Sequence, residues 1–113
     1  MFTREEERLA LLQGTLDLLI LRTLVLGPHH GQGIARAIQD TSEDELLVEH
    51  GALYPALQRL EGQGWISAEW GVSPEGRRAK FYTLTPAGKQ QFVRERKEWR
   101  LFATAVGHVL QAG

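Results

Sequence analysis

Residues 50–84 read HGALYPALQRLEGQGWISAEWGVSPEGRRAKFYTL, in which a helical pattern runs directly into strand-like sequence. Leu53, Leu57 and Leu60 follow the i, i+4, i+7 spacing of one buried stripe on a helix. Glycines come next, and glycine is common where a chain leaves a helix. The spacing therefore predicts a short helix over residues 50–64.

Two runs rich in aromatic and β-branched residues come after this helix, at 65–70 and 79–84. Glycine and proline interrupt the sequence between them, which predicts a hairpin loop over residues 71–78 that is longer than a two-residue turn. The loop ends in Arg77 and Arg78. A helix that leads into a hairpin with a basic tip is the arrangement of the DNA-contacting half of a winged helix.

The size and composition of the chain limit the classes of protein to which it can belong. Its 113 residues predict one domain with a modest core, and its 42% hydrophobic and 24% charged residues indicate a globular protein, not a disordered one. The absence of cysteine excludes a disulfide framework and a cysteine-ligated zinc site. The amino terminus is acidic before it is apolar, unlike a secretory signal, and no apolar run approaches the roughly 20 residues of a membrane span. We expect a cytoplasmic protein that does not contact a membrane.

The net charge of −1 gives no support for nucleic-acid binding by itself. The charges are unevenly placed, however, because residues 77–100 contain eight basic and two acidic side chains, while residues 42–49 contain four acidic side chains and no basic one. Fields from exposed charges fade within about 8 to 10 Å at ordinary salt, so local distribution decides contacts. The basic segment is therefore a candidate for contacting a polyanion.

The amino-terminal part predicts two consecutive helices. Thr3 is placed to cap a short helix over residues 3–12. Gly14 is expected to interrupt or bend it, and Thr15 to cap a second helix that runs to residue 26. Because that second helix is apolar on most sides, it is either a central core helix or an interface with a partner.

The middle of the chain predicts a further helix and a short strand. Residues 27–31 have the composition of a turn, and a helix follows from residue 32 or 33 to about residue 40. An acidic loop then leads to residues 46–48, which predict a brief third strand paired with the hairpin.

The carboxy-terminal part predicts one long helix, capped by Thr85 with Pro86 at its first position and running to about residue 110. Phe92, Trp99 and Val106 recur every seven residues, close to the a/d seam of a coiled coil. One helix cannot bury such a seam against its own compact domain, so we expect a homodimer. The expected interface residues are Leu12, Leu16, Phe92, Trp99, Phe102, Val106, Val109 and Leu110.

Three segments together carry a family resemblance: GPHHGQGIARAI, GALYPALQRLEGQGWI and EWGVSPEGRRAKFYTLTPAG. In this order and spacing they resemble the PadR family of bacterial transcriptional regulators over about residues 9–110. The single terminal helix is similar to that of the short subgroup of this family. Gln32 is a departure, because the family commonly has a tyrosine at that position. The resemblance implies a mainly α fold with a small β-hairpin, in which residues 1–85 form a winged helix-turn-helix DNA-binding domain and residues 86–113 the dimerisation helix. It also implies a homodimeric repressor that binds a palindromic operator in double-stranded DNA. We expect no enzyme activity and no cofactor.

The chemistry of the exposed residues agrees with DNA binding. If the leucine stripe is buried, the opposite face of the helix turns outward, and its small first residues let a phosphate approach the helix start. Gln58 and Arg59 on that face can read base edges or bind the DNA backbone, although plain solvent exposure is the alternative for each of them. Tyr54 at the flank can donate to a phosphate, and its alternative is a position half inside the core. Three cations within four positions of the hairpin repel one another, and the phosphates of a DNA backbone would bind them directly. The expected contacts are Gly51, Ala52, Tyr54, Pro55, Gln58 and Arg59 on the helix, and Arg77, Arg78 and Lys80 on the hairpin.

Trp99 is a second functional candidate. In multidrug-sensing members of the family that the chain resembles, a tryptophan at the matching place stacks on flat aromatic ligands between the subunits. The resemblance thus implies a small aromatic ligand near Trp99, with Phe92 and Phe102 lining the same pocket. The alternative is that Trp99 only packs the dimer interface.

Two other interpretations compete with DNA binding. His29 and His30 with a carboxylate such as Glu49 would make a metal-responsive regulator, although adjacent histidines in a turn are more often a plain polar loop. A winged helix used for protein–protein contacts is the second, favoured by the net charge and the acidic loop and opposed by the basic hairpin. No motif of an enzyme or of a nucleotide-binding loop is present in the sequence.

Overall fold

The computed structural model describes the backbone of residues 4–112 and the side chains of residues 15–112. Within this part the chain forms four helices and a three-stranded antiparallel sheet, which confirms the predicted mainly α winged-helix fold. In chain order the elements are α1 (Arg4–Val25), β1 (His29–His30), α2 (Gly31–Thr41), α3 (His50–Gly62), β2 (Ile66–Val72), β3 (Arg78–Leu84) and α4 (Pro86–Gln111). No helix in the described part is both long and apolar enough to cross a bilayer.

The first helix, α1, is continuous, so the predicted interruption at Gly14 and the predicted cap at Thr15 are wrong. A glycine inside a helix costs only about 1 kcal/mol relative to alanine, which burial of the apolar residues that follow can offset. Ile20 and Leu21 are both fully buried, which makes α1 the central core helix. The predicted cap at Thr3 and the side chain of Leu12 lie outside the described residues.

The third strand of the sheet is β1, and the prediction of a strand over residues 46–48 is wrong. β1 pairs with β3 through His29 and Tyr82 and through His30 and Phe81, giving the strand order β1-β3-β2. His30 also caps α2, since its Nδ1 accepts a hydrogen bond from the backbone N–H of Gly33 over 3.0 Å. Leu46 and Val48 instead pack against the core from a loop, whereas Leu47 between them is exposed.

The hairpin is longer, and its loop shorter, than the sequence predicts. The pairing of β2 with β3 runs from Ile66 and Leu84 up to Val72 and Arg78, which leaves only residues 73–77 in the loop. Ser73 closes this loop by donating its backbone N–H to the carbonyl of Arg77 over 2.7 Å. Arg78 therefore begins a strand, and only Arg77 of the two arginines lies in the loop.

Buried side chains of α1, α2, α3, the base of the hairpin and the start of α4 form one core. Leu53, Leu57 and Leu60 are at most 1% exposed, so the predicted stripe of α3 is confirmed. Phe92 belongs to the same core with 7% exposure. Burial also raises the pKa of the Tyr82 phenol at the edge of this core.

A compact junction joins the end of α3 to the start of α4. The Thr85 hydroxyl accepts a hydrogen bond from the backbone N–H of Gly88 and donates one to the carbonyl of Gly64, over 3.0 and 2.7 Å. The backbone N–H of Thr85 also donates to the carbonyl of Trp65. The predicted cap is confirmed, and α4 leaves the domain at an angle fixed by these bonds.

We expect Gly88→Ala to lower the free energy of unfolding by about 2–3 kcal/mol, the upper part of the range for overpacked cores. A Cβ at this buried position would overlap the carbonyl oxygen of Trp65, which is backbone and cannot rotate away. Urea denaturation measures the change. Gly62→Ala is the matched control, because a Cβ there meets none of the described residues within 4 Å, and it should leave stability equal or slightly higher.

Candidate nucleic-acid interface

The face of α3 opposite the leucine stripe is open to solvent. Gly51, Pro55, Gln58 and Arg59 are exposed there, as the helical spacing predicts, and Tyr54 is exposed at the flank. The N-cap residue Glu49 makes no side-chain hydrogen bond to the helix among the described residues, and its carbonyl accepts from the backbone N–H groups of Ala52 and Leu53. An anion at the helix start would therefore bind the N–H groups that precede these two. This face can therefore accept a phosphate at its start and a base edge farther along.

Tyr54 combines exposure with close packing. Its side chain is 44% exposed, and its ring meets the His50 ring edge-on with 5.7 Å between the ring centroids. The phenol lies over Gly31 at the start of α2, where an added Cβ would stand 2.7 Å from the Tyr54 hydroxyl oxygen. Gly31 is thus required for the position of Tyr54, a role that the sequence alone did not indicate.

Arg59 is held within the protomer by Asp17 of α1. Its Nη2 donates to a carboxylate oxygen of Asp17 over 2.7 Å, while the Arg59 side chain stays 60% exposed. A pair this exposed contributes at most about 1 kcal/mol to stability, but it occupies part of the guanidinium. Gln58, on the neighbouring position, is exposed and is the better candidate for contact with a base.

The basic residues of the hairpin divide between loop and strand. Arg78 and Lys80 alternate with Ala79 on β3, so both point to one face of the sheet. Trp70 of β2 lies on the same face, with the Arg78 Cζ 4.7 Å and the Lys80 Nζ 5.8 Å from its ring centroid. The sequence did not indicate a role for Trp70. Its pairing with Lys80 follows from the strand register, and the predicted loop over residues 71–78 was too long for that register to be deduced.

A groove of about 630 Å³ separates α3 from the hairpin. It is lined by Tyr54 and Gln58 from α3 and by Trp70, Arg78 and Lys80 from the hairpin, together with other side chains, and we call it the hairpin groove. The structure thus brings two of the six helix candidates, Tyr54 and Gln58, and all three hairpin cations to one groove. Candidates separated by about twenty residues in the sequence become neighbours here. The other helix candidates line a separate pocket beside Leu16: Gly51, Ala52, Pro55 and Arg59.

Two carboxylates, those of Glu61 and Glu75, also line the hairpin groove. A backbone hydrogen bond at Glu75, aided by the Ser73 hydroxyl, lowers the pKa of the Glu75 carboxyl below its ordinary value. Glu75 is therefore ionised at neutral pH, and its carboxylate lies 3.9 Å from Nε2 of His30 on β1. The groove is consequently lined by both cations and carboxylates.

The outer half of α4 carries a continuous set of exposed apolar side chains. We call it the apolar strip: Trp99, Leu101, Phe102, Val106, Val109 and Leu110, between 38% and 78% exposed. Solvent-facing apolar surface of this extent is typical of an interaction site. Leu16 and Phe92, expected at the same interface, lie instead in the core of the protomer, where α1 and α4 pack together.

The residues proposed for a metal site do not assemble. Nδ1 of His29 lies 2.8 Å from the carbonyl of Gly27, and Nδ1 of His30 caps α2. Among the side chains that the structure describes, no three histidine, aspartate or glutamate residues come together in a way that could hold a metal ion. The geometry therefore gives no support to a metal-responsive regulator.

Known proteins with similar sequences and structures are transcriptional regulators or uncharacterized proteins. A protein-family model described as the transcriptional regulator PadR-like family matches residues 20–94. An uncharacterized protein X of Lysinibacillus sphaericus is 30% identical over 89 residues, which are 79% of this chain and 82% of that protein. The transcriptional regulator Rv3488 of Mycobacterium tuberculosis is 37% identical over 59 residues, which are 52% of this chain and 54% of that protein. The crystal structure of a PadR family transcriptional regulator from Eggerthella lenta is similar with a TM-score of 0.80 and 28% identity, covering 96% of this chain and 93% of that one.

Proposed function

The chain belongs to the PadR-like family of DNA-binding transcriptional regulators, and from this we propose that it is a homodimeric repressor of a palindromic operator. The observation that carries the proposal is the hairpin groove, in which Tyr54 and Gln58 of α3 share one surface with the three cations of the hairpin. In this arrangement α3 enters the major groove while Arg77, Arg78 and Lys80 contact the neighbouring backbone. Base contacts from Gln58 and Tyr54 then supply sequence preference, and the cations supply most of the affinity.

The dimer part of the proposal is supported by the apolar strip. Such side chains at the outer half of α4 gain free energy when a second copy covers them. A symmetric dimer presents two copies of α3 to half-sites on one side of the duplex, about 34–36 Å or a multiple of it apart. The division into a DNA-binding part, residues 1–85, and a dimerisation helix, residues 86–113, stays a prediction. Burial of Phe92 in the core supports a firm connection between the two parts.

A gel shift with the DNA upstream of the protein's own coding sequence tests the proposed function. We expect a complex that survives an excess of unrelated duplex and whose affinity falls steeply with salt concentration. A protein that binds neither this region nor unrelated duplex at low salt would contradict DNA binding. That result would favour the rival function, a winged helix that contacts another protein, which the two carboxylates of the hairpin groove support.

The repressor is further proposed to respond to a flat aromatic ligand held between the two copies of Trp99. The indole is 45% exposed in the apolar strip, beside Phe102 and Val106, so two copies across a two-fold axis can enclose a planar molecule. Phe92 does not contribute, because it is buried in the protomer.

We expect a planar cationic dye to quench the tryptophan fluorescence of the protein, and Trp99→Ala to abolish most of that quenching. Trp70→Phe is the control, since Trp70 lies in the hairpin groove and not in the apolar strip. Equal quenching in wild type and Trp99→Ala would mean that Trp99 only packs the interface. Loss of quenching in Trp70→Phe would place the dye in the hairpin groove.

A further inference from the structure

Trp70 occupies a position that packing within the protomer does not explain. Its side chain is 59% exposed on β2, so it contributes little to the core. Its ring nevertheless has two cationic partners, Arg78 at 4.7 Å and Lys80 at 5.8 Å from the centroid. An exposed indole between two cations indicates a role for the ring at the surface.

The strand register fixes this cluster in place. Trp70 is directly opposite Lys80, and Arg78 is opposite Val72, which puts Arg78 on the diagonal from Trp70. Direct and diagonal partners on one face of an antiparallel pair lie within reach of an aromatic ring. The contacts therefore follow from the backbone of the hairpin and not from a chance arrangement of long side chains.

Contact with the ring leaves the hydrogen-bonding groups of both cations usable. A guanidinium that stacks on an aromatic face keeps its N–H groups, which lie in its own plane and point outward at the edges. An ammonium group above a ring likewise keeps donors that point away from it. Arg78 and Lys80 can thus bind phosphate oxygens without leaving Trp70.

The ring also reduces two costs of binding. Arginine and lysine side chains lose rotamer entropy when they are immobilised, and side chains already held over a ring lose less of it on binding. Arg78 and Lys80 carry like charges on one face, and the negative face of the indole offsets part of their repulsion. A duplex would meet cations that are already oriented.

We propose that Trp70 is a positioning residue of the DNA interface, whose indole holds Arg78 and Lys80 ready to contact phosphates. This role rests on the proposed function, in which the hairpin binds DNA. The two cations that contact the ring both belong to β3, whereas Arg77 lies in the loop, so the role concerns the two strand cations alone.

The test is a double-mutant cycle that measures binding to a fluorescein-labelled duplex of arbitrary sequence at low salt. Trp70→Leu should weaken binding roughly 3- to 10-fold in the wild-type background, and Trp70→Phe should weaken it less, because phenyl is the poorer cation partner. In an Arg78→Gln, Lys80→Gln background, Trp70→Leu should have no further effect. Val72→Ala, a change at a 70% exposed neighbour on the same strand and face, should leave binding unchanged.

The outcomes separate the role of Trp70 from the proposed function. If the double glutamine variant binds less tightly and Trp70→Leu still weakens it by the same factor, the ring acts independently of the cations and the positioning role is overturned. If the double glutamine variant binds like wild type, contact between these cations and DNA is refuted, and the role of Trp70 with it. The melting temperature of Trp70→Leu should be close to that of the wild type. A large decrease would mean that binding weakens because the protein unfolds, which would also count against the positioning role.

Discussion

Replacing Phe102 and Val109 by glutamate is expected to convert the protein from a dimer to a monomer and to lower operator affinity at least about 100-fold. The two side chains are 67% and 75% exposed in the protomer and lie seven residues apart on α4. Glutamates at these positions would face their symmetry copies in an apolar interface, where unpaired charge is costly. A monomer also forgoes the gain of roughly 10²–10⁴ in affinity that comes from linking the binding of two half-sites.

Light scattering measures the mass, and fluorescence anisotropy with operator DNA measures the affinity. Thr104→Glu is the matched control, because Thr104 is exposed on α4 two residues from Phe102 and outside the apolar strip. It should remain dimeric and bind normally. A Phe102→Glu, Val109→Glu variant that stays dimeric at micromolar concentration would refute α4 as the dimer interface.

The second large effect is expected at the hairpin. Arg77→Ala together with Arg78→Ala should weaken binding to all DNA sequences by roughly 10- to 100-fold at ordinary salt. The slope of log K against log salt should fall by about one for each phosphate that the variant no longer binds. Sequence preference should persist, because Gln58 and Tyr54 on α3 are unchanged.

Titrations at two salt concentrations give both quantities. Arg94→Ala together with Lys97→Ala removes the same charge from exposed positions on α4, away from the hairpin groove. If this control weakens binding as much as the hairpin variant, net charge and not local contact determines the affinity. An unchanged salt slope in the hairpin variant would contradict the assignment of these arginines.

The parts of the fold that follow from local pattern could be predicted. The leucine stripe of α3 and the Thr85-Pro86 start of α4 each depend on spacing within a few residues, and both are confirmed. β1 was missed because a strand of two residues has no period that a sequence can display. It forms only because the chain at His29 and His30 lies beside β3.

The parts of the candidate site that depend on distant contacts could not be predicted. Asp17 and Arg59 are 42 residues apart in sequence, and only the packing of α1 on α3 shows that the guanidinium has a partner. Phe92 fits the seven-residue repeat of Trp99 and Val106, yet it is buried in the core that α4 shares with α1. A repeat identifies the apolar face of a helix. It does not show which part of that face packs within the protomer and which part is left for a partner.

The junction at Thr85 has a consequence for the DNA that a dimer would select. The hydroxyl and backbone N–H of Thr85 connect the segment just after α3, at Gly64 and Trp65, to the first turn of α4. In a dimer that forms through α4, the distance between the two copies of α3 would then be fixed. Such a dimer could not adjust this distance to an operator with a different half-site spacing. Inserting about five base pairs between half-sites would turn one of them to the far side of the duplex, beyond the reach of the second subunit. Operators bound by such a dimer could therefore differ in base sequence more readily than in the number of base pairs that separates their half-sites.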